Sequence, residues 1–309
     1  MKFPKPVPVV EIARKINAKL IGDASLLAYG VNEIHKVEKG DITFSDVAKY
    51  FQKSIKSEAS IIILNSETEC PPGKALLICD NPFDAYDSLV REHRPFRPLT
   101  ASISELADIH PTTIIEPNVV IGPDVKIGKN CHIQANTTIY EYTYIGDNVV
   151  IEPNCVIGAN ALYYKRYPGK MGRWRSGGRT ILENDVHIGA GCTIAKGVSG
   201  DTIIGEGSKL DCLIQIGHGA VVGKNCLFAA QVGVGGKTVI EDDVVLYGQV
   251  GIAQSLHIGK GVVVLAKSGV SKNLEAGKTY FGYPAQEMNI SYRELAALRQ
   301  LPELLKKKD

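Results

Sequence analysis

The sequence predicts a mainly β protein: a parallel β-helix of hexapeptide repeats, preceded by a small α/β domain and followed by a C-terminal helix. Three observations predict it. Every sixth residue from Ile204 onward is large and apolar: Leu210, Ile216, Val222, Phe228, Val234, Ile240, Leu246, Ile252, Ile258, Val264 and Val270. A chain that is 44% hydrophobic would almost never do this by chance. Six is neither the helical nor the plain strand period; it is the repeat of short strands wound into stacked triangular coils. The second observation is a longer period of three hexads. Ala230-Gln-Val-Gly-Val-Gly-Gly236 recurs 18 residues on as Gly248-Gln-Val-Gly-Ile-Ala-Gln254 and again as Ala266-Lys-Ser-Gly-Val-Ser-Lys272. Residues 18 apart therefore stack about 4.8 Å apart, the spacing of neighbouring strands. The third is that both ends of the chain lack the hexad. The expected division is an α/β domain over 1–100, the β-helix over 101–285 and a helical tail over 286–309.

In the first domain, Val10, Ala13, Ile16 and Leu20 have helical spacing, which predicts a helix from Val9 to Leu20 before the turn at Gly22-Asp23. Ala-Ser-Ile-Ile-Ile-Leu, ending at Leu64, is a β-branched strand. A turn at Pro71-Pro72-Gly73 leads to a second buried strand from Ala75 to Cys79, and Asn81-Pro82 opens a helix through Arg91. Strands alternating with helices predict an α/β unit.

The hexads begin at Ile103 and continue through Ile109, Ile115, Ile121, Ile127, Ile133, Ile139, Ile145, Ile151 and Ile157. The register then breaks for a basic, aromatic stretch at 161–180, resumes at Leu182, Ile188 and Ile194, and breaks briefly again from Lys196 to Asp201. A long loop ejected from a regular solenoid is expected to serve function or a subunit contact. Beyond Ile290 the apolar residues Tyr292, Leu295, Leu298 and Leu301 return to helical spacing, interrupted by Pro302. A helix there would cap the open stack, as repeat proteins require. Val221, Val232, Val245 and Val250 read as outward apolar positions that a monomer would leave wet and that trimerisation would bury.

A formal charge of +2 implies no bulk attraction to nucleic acid. No apolar run is long enough to span a membrane, and the N-terminal residues lack a signal-peptide core, so a cytoplasmic protein is expected. The seven cysteines show no disulfide or metal spacing. Cys131, Cys155, Cys192 and Cys226 each lie four residues after an inward apolar position and should be small buried hydrophobes. The seven histidines include no pair five residues apart, as a zinc site on adjacent coils would need. No metal and no organic cofactor is expected.

His218 stands apart from the other histidines. It sits in Gln215-Ile-Gly-His-Gly219, two residues past inward Ile216, so its side chain should point outward between flexible glycines. The 18-residue register places Gly236 one coil above it, then Gln254 and Lys272. A base beside an exposed glycine amide suits acyl transfer, one taking a proton and the other steadying an oxyanion. A plain surface histidine on a coil edge fits the spacing equally well.

Across its whole length the chain resembles the UDP-3-O-(3-hydroxyacyl)glucosamine N-acyltransferases of lipid A synthesis. The resemblance rests on Leu20-Ile-Gly-Asp23, Gly40-Asp-Ile-Thr-Phe-Ser45 and Cys79-Asp-Asn-Pro-Phe83 in the first domain. It continues in Thr202-Ile-Ile-Gly-Glu-Gly207, Gln215-Ile-Gly-His218, Ala229-Ala-Gln-Val-Gly233 and Gly282-Tyr-Pro-Ala285. It implies a left-handed helix, a homotrimer with active sites at subunit clefts, and transfer of a 3-hydroxyacyl chain from acyl carrier protein to the 2-amine of UDP-3-O-acylglucosamine. By the same resemblance His218 is the general base, Gly236 the oxyanion donor, Phe44 and Tyr50 the residues that hold the uracil, and Asp211, Gln215 and Ser255 further substrate contacts. Lys306, Lys307 and Lys308 could steer an acidic carrier protein.

The chain departs from the family pattern at several polar positions. Ile194-Ala-Lys-Gly197 replaces Ile-Asp-Arg-Gly, Val47-Ala48 replaces Asn-Pro before Lys49-Tyr50, Gly219 replaces Asn or Asp, and Ser255 replaces a second histidine whose nearest neighbour is His257. Two other readings therefore stay open. One is a non-catalytic paralogue that binds a nucleotide sugar or acyl carrier protein. The other is an O-acyltransferase acting on UDP-N-acetylglucosamine, against which the first domain argues.

Overall fold

The structure is a computed structural model, in which residues 1–306 are described. The chain divides into two compact units. The first comprises Met1–Pro98, Asn160–Arg179 and Gly197–Gly200; the second holds the rest. This corrects the linear division expected from sequence, because both interruptions of the hexads belong to the first unit.

The first unit is an α/β sandwich. Its strands are β1 (Lys2–Pro8), β2 (Lys19–Gly22), β3 (Leu27–Val31), β4 (Asp41–Ser45), β5 (Ile61–Leu64) and β6 (Ala75–Ile78), ordered β1-β3-β4-β5-β6-β2. The central strands β3 to β6 run parallel and the two edges antiparallel. Parallel strands are buried on both faces, which is why β5 is Ile-Ile-Ile-Leu without alternation. Ile61 and Ile63 pack on the side of α1 (Val9–Lys15) and α3 (Pro82–His93); Ile62 and Leu64 pack with Phe51 and Ile55 of α2 (Phe51–Ile55). The first helix is shorter than its spacing predicts. Asn17 turns left-handed (φ 50°), and Leu20 lies in the edge strand β2. α3 is N-capped by Asn81, whose side chain accepts from the Asp84 amide, and has Pro82 in its first turn.

The second unit is a parallel β-helix with three faces, formed by sheets of eight, ten and eight strands. The register is the predicted one. Gln215 pairs with Gly233, Gly233 with Gly251 and Gly251 with Gly269. The hexad residues from Ile121 to Val270 form one continuous core, joined by Cys131, Cys155, Cys192 and Cys226. Three residues after most inward positions the chain turns a corner in the left-handed region, as at Asn118, Asp124, Asn130, Asn136, Asn148 and Asn154. Asparagine, aspartate and glycine tolerate that conformation best, and stacked corners bond to each other, as Asn130 does to Asn148. Bulkier residues, Tyr142 (φ 63°) and Leu213 (φ 61°), take the same turn where the ladder imposes it.

Val232 and Val250, read from sequence as outward apolar positions with Val221 and Val245, are buried in the core. They occupy the same inward slot as the buried cysteines. Exposed apolar side chains near the His218 coil include Leu213, Leu227, Val239 and Tyr247. Leu274, Tyr280 and Ala285 close the core at the last coil. The C-terminal helix, α4 (Met288–Lys306), begins at the last strand pair, with Ser291 bonded to the Phe281 carbonyl and Tyr292 against the Phe281 ring. Leu295, Leu298 and Leu301 remain exposed on it, so capping falls to the last coil and only the first turns of α4 contribute. Lys307 and Lys308, expected together with Lys306 to steer a carrier protein, lie outside the described residues. Among the described residues no helix is long and apolar enough to cross a membrane.

Candidate active site

The β-helix builds its candidate site around one corner. Gln215 and Ile216 form a strand whose next coil is Gly233 and Val234. The Gly217 amide donates to the Val234 carbonyl, and a Cβ on Gly217 would stand 2.5 Å from the Gly236 nitrogen. Glycine is thus required for the two coils to approach. The Gly219 amide donates to Thr202 Oγ1 at 2.7 Å, and Gly219 turns left-handed at φ 68°. Glycine, asparagine and aspartate all suit that turn, so the departure at position 219 preserves the backbone.

These constraints hold His218 half-buried, its ring over the Cα of Gly236. A Cβ at position 236 would lie 2.9 Å from Nε2 and 3.1 Å from Cδ2. The His218 carbonyl accepts from the Lys237 amide and the Gly236 carbonyl from the Ser255 amide. No acceptor among the described residues takes the Gly236 N–H. An imidazole and an available amide therefore sit on consecutive rungs, the arrangement a proton acceptor and an oxyanion donor require.

The other candidate residues of this unit fall around the same corner. Asp211 ends the preceding face of the His218 coil and Gln215 begins the next; both are exposed. Asp211 Oδ1 accepts from the Cys212 amide, and Asp211 lines a groove of about 440 Å³ with Glu152, His187, Lys209 and Leu227. Ser255 is exposed, left-handed, and bonded through its amide to Gly236. His257 lies on the following strand and pairs with Glu241 at 3.0 Å. His132 with Glu116 and His187 with Glu152 form similar rungs, in which the second carboxylate oxygen accepts the Ala135 or Ala190 amide. Among the described residues no three metal-ligating side chains converge.

Lys196 is a residue the sequence marked only as a departure. It occupies the rung below His218, since Ile194 pairs with Ile216. It is fully buried, with Nζ 2.8 Å from Glu141 Oε1. Its corner position predicts exposure; the hexad pattern carries no sign that it is covered.

In the first unit Phe44 and Tyr50 differ sharply. Tyr50 is half-exposed, with Lys49 Nζ 4.7 Å from its ring centroid. Phe44 on β4 is half-buried in an aromatic cluster with Phe83 and Tyr86 of α3 and Trp174, at centroid distances of 6.1, 5.0 and 5.3 Å. Trp174 and its neighbours come from the basic, aromatic stretch, which folds as a hairpin of Tyr164–Tyr167 and Lys170–Arg173.

A solenoid of hexapeptide coils is the architecture of the hexapeptide-repeat transferases. Residues 107–141 match the model of the bacterial transferase hexapeptide, and 148–162 that of the hexapeptide repeat of succinyl-transferase. Residues 27–91 match the model of UDP-3-O-(3-hydroxymyristoyl) glucosamine N-acyltransferase, LpxD. The UDP-3-O-acylglucosamine N-acyltransferase of Anaeromyxobacter sp. is 35% identical over 96% of this chain and 93% of its own length. That of Bradyrhizobium diazoefficiens is 53% identical over 18% of this chain and 16% of its own. The solved UDP-N-acetylglucosamine acyltransferase of Francisella novicida superposes with a TM-score of 0.54 at 26% identity, covering 59% of this chain and 65% of that one. The chain belongs to the UDP-3-O-acylglucosamine N-acyltransferase family, the acyltransferases of lipid A biosynthesis.

Proposed function

We propose that the protein, acting in the cytoplasm as a homotrimer, transfers a 3-hydroxyacyl chain from acyl carrier protein to the 2-amine of UDP-3-O-acylglucosamine. The observation that supports this most is the His218 ring lying over Gly236, whose amide is available. The amine nitrogen attacks the thioester carbonyl carbon and His218 accepts the proton it sheds. Negative charge gathers on the carbonyl oxygen, which the Gly236 N–H meets. Collapse of the intermediate breaks the carbon–sulfur bond, and the carrier thiolate leaves with the proton His218 returns. Phe44 and Tyr50 hold the uracil, while Asp211, Gln215 and Ser255 contact the substrate around the His218 corner. The family membership and the retained glycine geometry at 217 and 236 support catalysis over a non-catalytic binder.

The test is mass spectrometry of the purified protein with UDP-3-O-acylglucosamine and a set of 3-hydroxyacyl carrier proteins. An N-acylated product is expected, its mass giving the chain length taken. Binding of both substrates without product would establish the binder instead, and acylation of UDP-N-acetylglucosamine on oxygen would establish the O-acyltransferase.

A further inference from the structure

The hairpin between the coils touches the residues around Phe44 through Lys165. Lys165 Nζ donates to Asp46 Oδ2 at 2.9 Å and to Asn81 Oδ1 at 3.1 Å. Asp46 lies two residues beyond Phe44, on the segment leading to Tyr50; Asn81 caps α3. The same ammonium lies 5.0 Å from the Phe83 centroid and 5.6 Å from that of Tyr167, whose hydroxyl bonds Asp84. An ammonium has three protons, and two have acceptors among the described residues. Trp174, from the far side of the hairpin, is wedged edge-on to Phe83 at 4.4 Å and is almost fully buried. Among the described residues its indole Nε1 has no hydrogen-bond partner. An orphaned buried donor is uncommon in a native fold.

We infer that Lys165 is a specificity-determining residue for the base of the nucleotide substrate, donating its third proton to the C4 carbonyl oxygen of a pyrimidine-2,4-dione. This rests on the reading that Phe44 and Tyr50 hold the uracil. Lys165 offers a donor beside the Asp46 and Asn81 acceptors, the complement of a carbonyl next to an imide N–H. Cytosine presents an amino donor where uracil presents that carbonyl, so the ammonium would repel it and the site would discriminate between the two. Fixed by Asp46 and Asn81, the ammonium costs little ordering entropy on binding.

Trp174 is the chain's single tryptophan, so its fluorescence reports on this cluster alone. The full-length protein is titrated with UDP and with CDP, as wild type, Lys165→Met, Lys165→Gln and Phe44→Ala, with thermal unfolding run on each. Wild type should bind UDP at least tenfold more tightly than CDP. Lys165→Met should weaken UDP roughly 10- to 100-fold, as loss of a hydrogen bond to a charged group does, and bring the UDP-to-CDP ratio near one. Lys165→Gln guards against a methionine variant that fails to fold and should likewise lose most of the ratio. UDP binding lost in Phe44→Ala but unchanged, with the wild-type ratio, in either folded Lys165 variant would overturn the Lys165 assignment alone. No UDP binding by the wild type would overturn the uracil reading and this inference with it.

Discussion

His218 Nε2 sits 2.9 Å from the point where a side chain on Gly236 would begin. Position 236 is therefore closed to any residue but glycine unless the imidazole moves. Gly236→Ala should displace the ring and crowd the amide, lowering kcat on the order of 100-fold or more while Tm stays within a few degrees. His218→Ala should cost about 100- to 10,000-fold, again with a folded protein. His257→Ala removes a surface ion pair with Glu241 and should leave turnover near wild type. Wild-type turnover in His218→Ala together with its loss in His257→Ala would put the base on the wrong coil.

Lys196 and Glu141 make a buried pair, the lysine fully buried and the carboxylate nearly so. Removing one partner strands the other charge. Lys196→Met should destabilise by about 3–5 kcal/mol in denaturant unfolding. The double variant Lys196→Met, Glu141→Gln should recover much of that loss. A single variant as stable as wild type would mean that the pair is already compensated by water.

His93 supplies a pH-dependent term. It stacks on Phe3 at 3.9 Å, and burial pulls its pKa below the usual 6.5 against the raising influence of Glu92. The unfolded chain then binds the proton more readily than the folded one, so this group's share of stability is present above about pH 6.5 and lost as pH falls through the depressed folded value. Tm measured from about pH 8 to pH 5 should drop more steeply in wild type than in His93→Gln. Parallel curves would assign the acid sensitivity elsewhere.

The proposed trimer places Leu213, Leu227 and Tyr247 at subunit contacts, since a monomer leaves these side chains wet. Light scattering should return three times 33.4 kDa. A monomer mass at micromolar concentration would remove the trimer from the proposal.

The β-helix is legible because its period writes one inward residue into every hexad, and the 18-residue repeat by itself aligns His218 with Gly236. The corners were legible too, in asparagine and glycine. What escaped was whatever depends on covering rather than on period. Lys196 has an outward register yet is buried. Val232 and Val250 point inward, against the outward reading, because the second inward slot of the hexad accepts valine as readily as cysteine. The first helix stops at Lys15, with Ile16 as its C-cap, and Leu20 serves the edge strand instead. Nothing in the hairpin's sequence says that Trp174 packs with Phe44 while Tyr50 stays open.

Stacking at a fixed interval has a chemical corollary. Groups in one corner column can be separated only by whole rungs of about 4.8 Å. The scaffold cannot tune the distance between an acid–base group and an amide donor in small steps; it can only choose which rung each occupies. Catalytic variety on such a frame is combinatorial, like settings on a toothed dial, and fine adjustment must come from side-chain length or from chain extruded at a corner.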